Sequence, residues 1–105
     1  MSTPLESLNC KSFSDQLHTQ FRLLREGLEP LPLELIEVRE GDTSPKIELF
    51  SLHFRGPAAP RMAQQIHTLE HDKLGRFDIF LTAIAGDAEG ITYESVFHRF
   101  RKNVP

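Results

Sequence analysis

The chain has a single cysteine, Cys10, and no tryptophan. One thiol cannot close an intramolecular disulfide framework, and it cannot supply a zinc site of the multiple-cysteine kind. No activating motif surrounds Cys10, so it reads as a small filler or surface thiol. Charge of one sign is also missing: 12 basic and 15 acidic residues give a formal net charge of -3, spread along all 105 residues. A surface of that kind advertises no nucleic-acid partner. No apolar run reaches the ~18 residues of a membrane span. The opening "MSTPLESLNC" has neither the basic region nor the apolar run of a signal peptide, so the expected location is the cytoplasm, or wherever a partner carries the protein. The six glycines are isolated turn residues rather than a phosphate-cradling loop. There is no Gly-x-Ser-x-Gly elbow and no HExxH spacing.

What is present is β patterning. The length and 39% apolar content fit one domain over residues 1–105, with residues 1–12 and 102–105 loosely ordered. "SFSDQL" offers Ser12 or Ser14 as an N-cap for a short helical turn that docks Phe13. "TQFRLL" is a first strand, and "REGLEPLP", with a glycine and two prolines, is expected to break regular structure. In "LELIEV" the apolar parity switches between Leu35 and Ile36, which predicts a bulge or a strand covered on both faces. "IELFSLHF" places Phe50, Leu52 and Phe54 on one side, and "RGPAAPR" ends it. In "QQIHTLEH", His67, Leu69 and His71 share a face. "RFDIFLTAIA" alternates Phe77, Ile79 and Leu81 against polar positions. "ITYESVFHRF" does the same with Ile91, Tyr93, Ser95 and Phe97. Glycines 86 and 90 around Asp87 read as hairpin chemistry. No helix is long enough to link parallel strands. The fold class is therefore all-β: about six antiparallel strands in a small barrel or sandwich, with a short N-terminal helical turn.

The stretch "IHTLEHDKLGRF" carries the densest group of chemically able side chains. His67, His71 and Asp72 form a candidate metal or acid-base site. Against it, four residues along a strand span about 13 Å, so His67 and His71 cannot grip one ion without His53 or His98 from a neighbouring strand. The other reading makes the stretch the wet end of a hairpin. Glu70 would then accept from turn amides or from Arg55, Arg76 or Arg99, His71 would cap the strand end or pack on Leu74, and Gly75 would take a positive φ. "HRFRK" is the one basic concentration; it reads as the solvated end of the last strand, with Phe100 folded onto the barrel rim.

The segments "LELIEV", "FSLHFRGP", "TLEHDKLGRFDIFL" and "YESVF" together resemble a family of small bacterial proteins that form a domain of unknown function. The matching positions include Glu34, Glu37, Arg55, Gly56, Glu70, His71, Gly75, Tyr93 and Glu94, and the likeness runs from Phe13 to Arg99. The chain departs from the family pattern at Gln65 to Thr68 and at Ala83. Members of that family are often encoded near phage-tail-collar-like proteins, so the resemblance implies an accessory or assembly role for a fibre-like appendage.

Three functions follow in order. The first is a non-enzymatic protein-interaction or assembly module, with Arg55, Glu70, His71, Gly75, Tyr93, Glu94 and Arg99 as a structural or interaction motif. Its partner would be another protein, tail-collar or fibre-like, and a homo-oligomer is compatible with it. The second is a small enzyme using His67, His71 and Glu70 or Asp72. The third is a β-barrel that binds a small ligand in its interior, which eight phenylalanines would tend to fill. No cofactor and no nucleic acid are expected.

Overall fold

The computed structural model describes residues 8–41 and 46–100. The order of elements is α1 (Cys10–Ser14), β1 (Gln20–Arg25), β2 (Leu28–Glu40), β3 (Ile47–Gly56), β4 (Gln65–His71), β5 (Gly75–Asp87) and β6 (Gly90–Phe100). All strand pairs are antiparallel, and the sheet closes on itself in the order β1-β2-β3-β6-β5-β4. The expected all-β class holds, and between the two architectures it is the barrel. The expected loose order of residues 1–7 and 102–105 falls outside the described residues. Of residues 8–12, Leu8 is buried, Asn9 caps α1, and Cys10 to Ser12 form its first turn.

Each strand buries one parity. Phe21 and Leu23 meet Leu31, Leu33 and Leu35, and beyond these lie Phe50, Leu52 and Phe54, then Leu69, Phe77, Ile79 and Leu81, and finally Ile91, Tyr93 and Phe97. The parity switch in β2 is a register shift against β3 between Leu35 and Glu37, so a bulge inserts Ile36.

The prolines did not end the strand. β2 begins at Leu28 and runs through Pro30 and Pro32. These two share a parity, so the missing N–H groups fall along one edge. Up to Leu33, β2 pairs only with β1, and β3 joins from Glu34 onward. Proline is tolerated where its nitrogen faces an unpaired edge.

The cap of α1 is not a serine of "SFSDQL". Asn9 accepts from the Ser12 backbone N–H at 2.8 Å, and Ser12 Oγ accepts from the Asn9 N–H at 3.2 Å, which makes a reciprocal capping box. The helix carries Phe13 to one mouth of the barrel, where its ring contacts Phe50, Phe77 and Phe97 at centroid distances of 5.8 to 6.2 Å. That mouth, the helix end, also holds the β4–β5 turn. The opposite hairpin end holds the β1–β2 and β5–β6 turns and the loop of residues 57–64.

Gly75 opens β5 with φ +82°, a left-handed conformation that a Cβ disfavours. Gly75→Val is therefore expected to destabilise the protein by about 1–2 kcal/mol, read as a shift of the denaturation midpoint in urea without a change of slope. A neutral variant would mean that the turn relaxes into ordinary β geometry. Gly90 is required for another reason than hairpin φ: a Cβ there would lie 2.5 Å from the Gly56 carbonyl oxygen and 2.8 Å from Arg55 Nε.

Candidate functional site

The expected site residues separate into two groups, one at each end of the barrel, and a set of rows on its wall. At the helix end, His71 closes β4 with its side chain buried. Its Nδ1 accepts from the backbone N–H groups of Lys73 and Leu74, at 3.0 and 3.3 Å. Nδ1 is thus the unprotonated nitrogen, and Nε2 donates to Thr19 Oγ1 at 2.8 Å. Thr19 in turn donates to the Gln16 carbonyl at 2.7 Å. The imidazole rests against Phe21 at 4.3 Å. A ring that donates to the hydroxyl cannot also take its proton, so the pair is a latch between two loops and not an activated nucleophile.

Burial holds the His71 pKa below its ordinary value, the nearby Arg22 and Lys73 charges add to this, and Asp72 opposes it. Because the unfolded chain takes up this proton more readily, acid favours unfolding. The stabilising contribution is complete above the ordinary imidazole value near 6.5 and is lost as pH falls from there through the lowered folded value. Urea midpoints measured from neutral pH downward should decline for the native protein. A His71→Gln variant should start lower and decline less. Parallel curves for the two proteins would count against the latch.

Glu70, also on β4, points outward. It accepts from Arg22 Nε at 3.1 Å and Arg76 Nη2 at 3.0 Å, the two residues that flank it in the register of β1 and β5. Those donors, Arg76 foremost, hold its carboxyl below the usual range. Of the expected partners Arg55, Arg76 and Arg99, only Arg76 is among them, and Arg22 was missed. Asp72 lies outside the barrel and accepts from Arg22 Nη2 at 3.0 Å.

At the hairpin end, buried His67 donates from Nε2 to the Ala63 carbonyl at 2.7 Å. Tyr93 accepts the Met62 backbone N–H at 2.9 Å through its hydroxyl. Together they tie the loop of residues 57–64 to the barrel. Arg55 donates to Thr92 Oγ1 at 3.1 Å and to Asp87 Oδ1 at 2.8 Å. Asp87 also accepts the N–H groups of Glu89 and Gly90, which closes the β5–β6 turn, and these bonds, Glu89's foremost, lower its pKa. His53 sits mid-wall between Glu37 Oε1 at 3.2 Å and Glu94 Oε2 at 3.0 Å. Carboxylates only accept, so each of these bonds needs its proton on the facing ring nitrogen.

Arg99 and a residue missed from the sequence, Glu48, complete the helix end. Glu48 shares the inward parity of Phe50 and is 6% exposed. It accepts from Arg99 Nε at 3.2 Å and from the Cys10 N–H at 3.1 Å. Arg99 also donates to the Leu8 carbonyl and lies over the Phe97 ring at 5.1 Å. The parity was the available signal; a glutamate on a core face would have flagged a buried ion pair.

His67 and His71 are thus engaged at opposite ends of β4, and Asp72 faces outward. They are not brought together. Among the described residues no three His, Cys, Asp or Glu side chains converge as metal ligands. Zinc or nickel near stoichiometric concentration should leave the melting temperature unchanged, whereas a site occupied at one hundred times its dissociation constant would add about 2.7 kcal/mol. A rise that disappears in a His67→Ala/His71→Ala double variant would restore the metal reading.

Phe100 does not fold onto the rim but is 81% exposed. No described helix is long and apolar enough to cross a membrane. No curated protein and no solved structure matches the chain. A family model does match, over residues 8–97, nearly all of the barrel and the helix that closes it. The chain belongs to the family described as Domain of unknown function (DUF6916).

Proposed function

We propose that the protein is a non-enzymatic protein-interaction or assembly module. The observation that carries this reading is a division of labour among its side chains. Arg55, Glu70, His71, Tyr93, Glu94 and Arg99 are each hydrogen-bonded to another part of the fold. Meanwhile Ile66 and Phe80, cross-strand partners on β4 and β5, stand outward and exposed. Apolar side chains grouped on an outer barrel wall contribute nothing to the core and are what a protein contact uses. The interior supports a ligand pocket poorly, because Phe13, Phe21, Phe50, Phe54 and Phe77 contact one another or Phe97 across it.

The resemblance to small bacterial proteins encoded near phage-tail-collar-like proteins makes a collar-like or fibre-like protein the partner of choice, with an accessory role in assembling an appendage. The test is affinity capture from the native host with full-length protein and with Phe80→Arg, compared by quantitative mass spectrometry. A collar-like or fibre-like protein retained by the first and lost by the second is the expected result. Identical recovery with both proteins would remove the reading.

A further inference from the structure

Three hydrogen bonds hold the imidazole of His71, and they do not depend equally on its charge. Nε2 donates to Thr19 Oγ1, and it carries its proton in the neutral ring of this tautomer and in the charged ring alike. Nδ1 accepts the backbone N–H groups of Lys73 and Leu74. A proton added there turns the acceptor into a donor aimed at two other donors, and both bonds are lost. Among the described residues those two N–H groups have no other acceptor. The β4–β5 ladder ends at the His71–Gly75 pair, so residues 72–74 lie beyond it. Apart from His71, the turn is held by the exposed Asp72–Arg22 pair, a weak tether, and by Leu74, half-buried and packed against the core.

We propose that His71 is an acid-operated catch for the β4–β5 turn: protonating its Nδ1 releases residues 72–74 and lifts Leu74 from the core while the strands of the barrel stay paired. This device goes beyond the interaction reading and does not rest on it. The turn gives way because the ring is held independently of it. The imidazole lies on the inward parity of β4 against Phe21, and its bond to Thr19 survives protonation. Opening the turn also admits water to the charged ring, which burial otherwise denies it. Opening the barrel would break ladder bonds as well, and the conflict at Nδ1 involves none of them.

Charge sets the direction of the response. Arg22 from β1 and Lys73 from the turn oppose protonation of the ring, and Asp72 favours it. Other titratable groups on the surrounding elements are engaged elsewhere: Glu70 with Arg76 on the outer wall, His18 with Glu34, and Lys11 of α1 with Asp15. With the turn closed, burial keeps the ring below its ordinary value near 6.5; an open turn restores that value, so the proton is taken up on opening. Acid therefore drives the release, by up to about tenfold in the open fraction per pH unit until the closed-turn value is passed.

Amide hydrogen exchange followed by NMR from about pH 8 to about pH 5, corrected for the intrinsic pH dependence of exchange, reads the release residue by residue. The protection of Lys73 and Leu74 should fall by up to about tenfold for each pH unit below the ordinary imidazole value. Leu52 and Phe54, on β3 between β2 and β6, should keep theirs. In His71→Gln a side-chain oxygen can accept the same amides but takes up no proton, so their protection, at whatever level it starts, should not vary with pH. Constant protection at Lys73 and Leu74 in the native protein overturns the proposal. Loss at Leu52 and Phe54 in step with the turn also overturns it, since the release would then be global unfolding, and so does an acid response that His71→Gln retains. If His71→Gln does not fold, the comparison of the two pairs of amides in the native protein decides alone.

Discussion

Phe50→Ala is expected to lower the stability of the barrel by about 3–5 kcal/mol, a large share of what a domain of this size possesses. Phe50 is 1% exposed, and its ring stacks on Phe97 with centroids 4.5 Å apart and planes 7° from parallel. Phe13 leans on the same pair from α1. Removing the ring takes away its transfer free energy and opens a cavity beneath the helix, and strands hydrogen-bonded on both sides cannot collapse into it. Urea or thermal unfolding measures the loss directly. A variant that melts with the native protein would show that the helix end is not part of the cooperative core. Phe97→Ala and Phe13→Ala should not add to Phe50→Ala in full, because the three rings share contacts.

Arg99→Ala should cost about 3 kcal/mol, the lower end of the range for breaking a buried pair, because a quarter of the arginine side chain remains in contact with water. The mechanism is the carboxylate left behind. Among the described residues, Glu48, 7% exposed at its side chain, would retain only the Cys10 N–H as a donor. The Leu8 carbonyl would lose its partner as well. Arg99→Lys should not restore stability, since one ammonium cannot reach both acceptors and stack over Phe97. The damage should be concentrated at α1. Hydrogen exchange should therefore accelerate at Cys10–Ser14 in Arg99→Ala by more than it does in β4. Uniform acceleration would mean that the pair supports the barrel as a whole and not the attachment of the helix. Arg99→Ala/Glu48→Leu, which removes both charges, should recover much of the loss.

Much of this architecture was legible in the chain, because strand periodicity is a local property. Alternation at Phe77, Ile79 and Leu81, and again at Ile91, Tyr93 and Phe97, assigns the inner face without reference to any other strand. The bulge at Ile36 was visible as a parity switch, and the positive φ of Gly75 as a glycine between a polar turn and an apolar run. For His71 the sequence offers a cap on the strand end or packing on Leu74; it caps the end, accepting the Lys73 and Leu74 amides that the sequence reading assigns to Glu70. What failed locally was the weight given to single residues. Pro30 and Pro32 break a strand only if both of its edges are paired, and edge pairing is not a local property. The cap of α1 went to serine because serine is favoured there, yet Asn9 is equally favoured and stands three residues before Ser12, the spacing a capping box requires.

Partners were another matter. Glu70 meets Arg22 across 48 residues of sequence, His71 meets Thr19 across 52, and Arg99 meets Glu48 across 51. Each side chain advertises that it needs a donor or an acceptor, and none advertises which one. The sequence alone determined that the chain folds as a small antiparallel β domain with these phenylalanines inside, because burial follows from a two-residue period and a glycine-rich punctuation that every strand carries in itself. Only the tertiary structure decided that β4 closes against β1, and with that closure which charges lie side by side, which histidines end up as latches, and which apolar residues are left facing outward. Ring closure is set by the stagger of six registers acting together, and no one segment contains it.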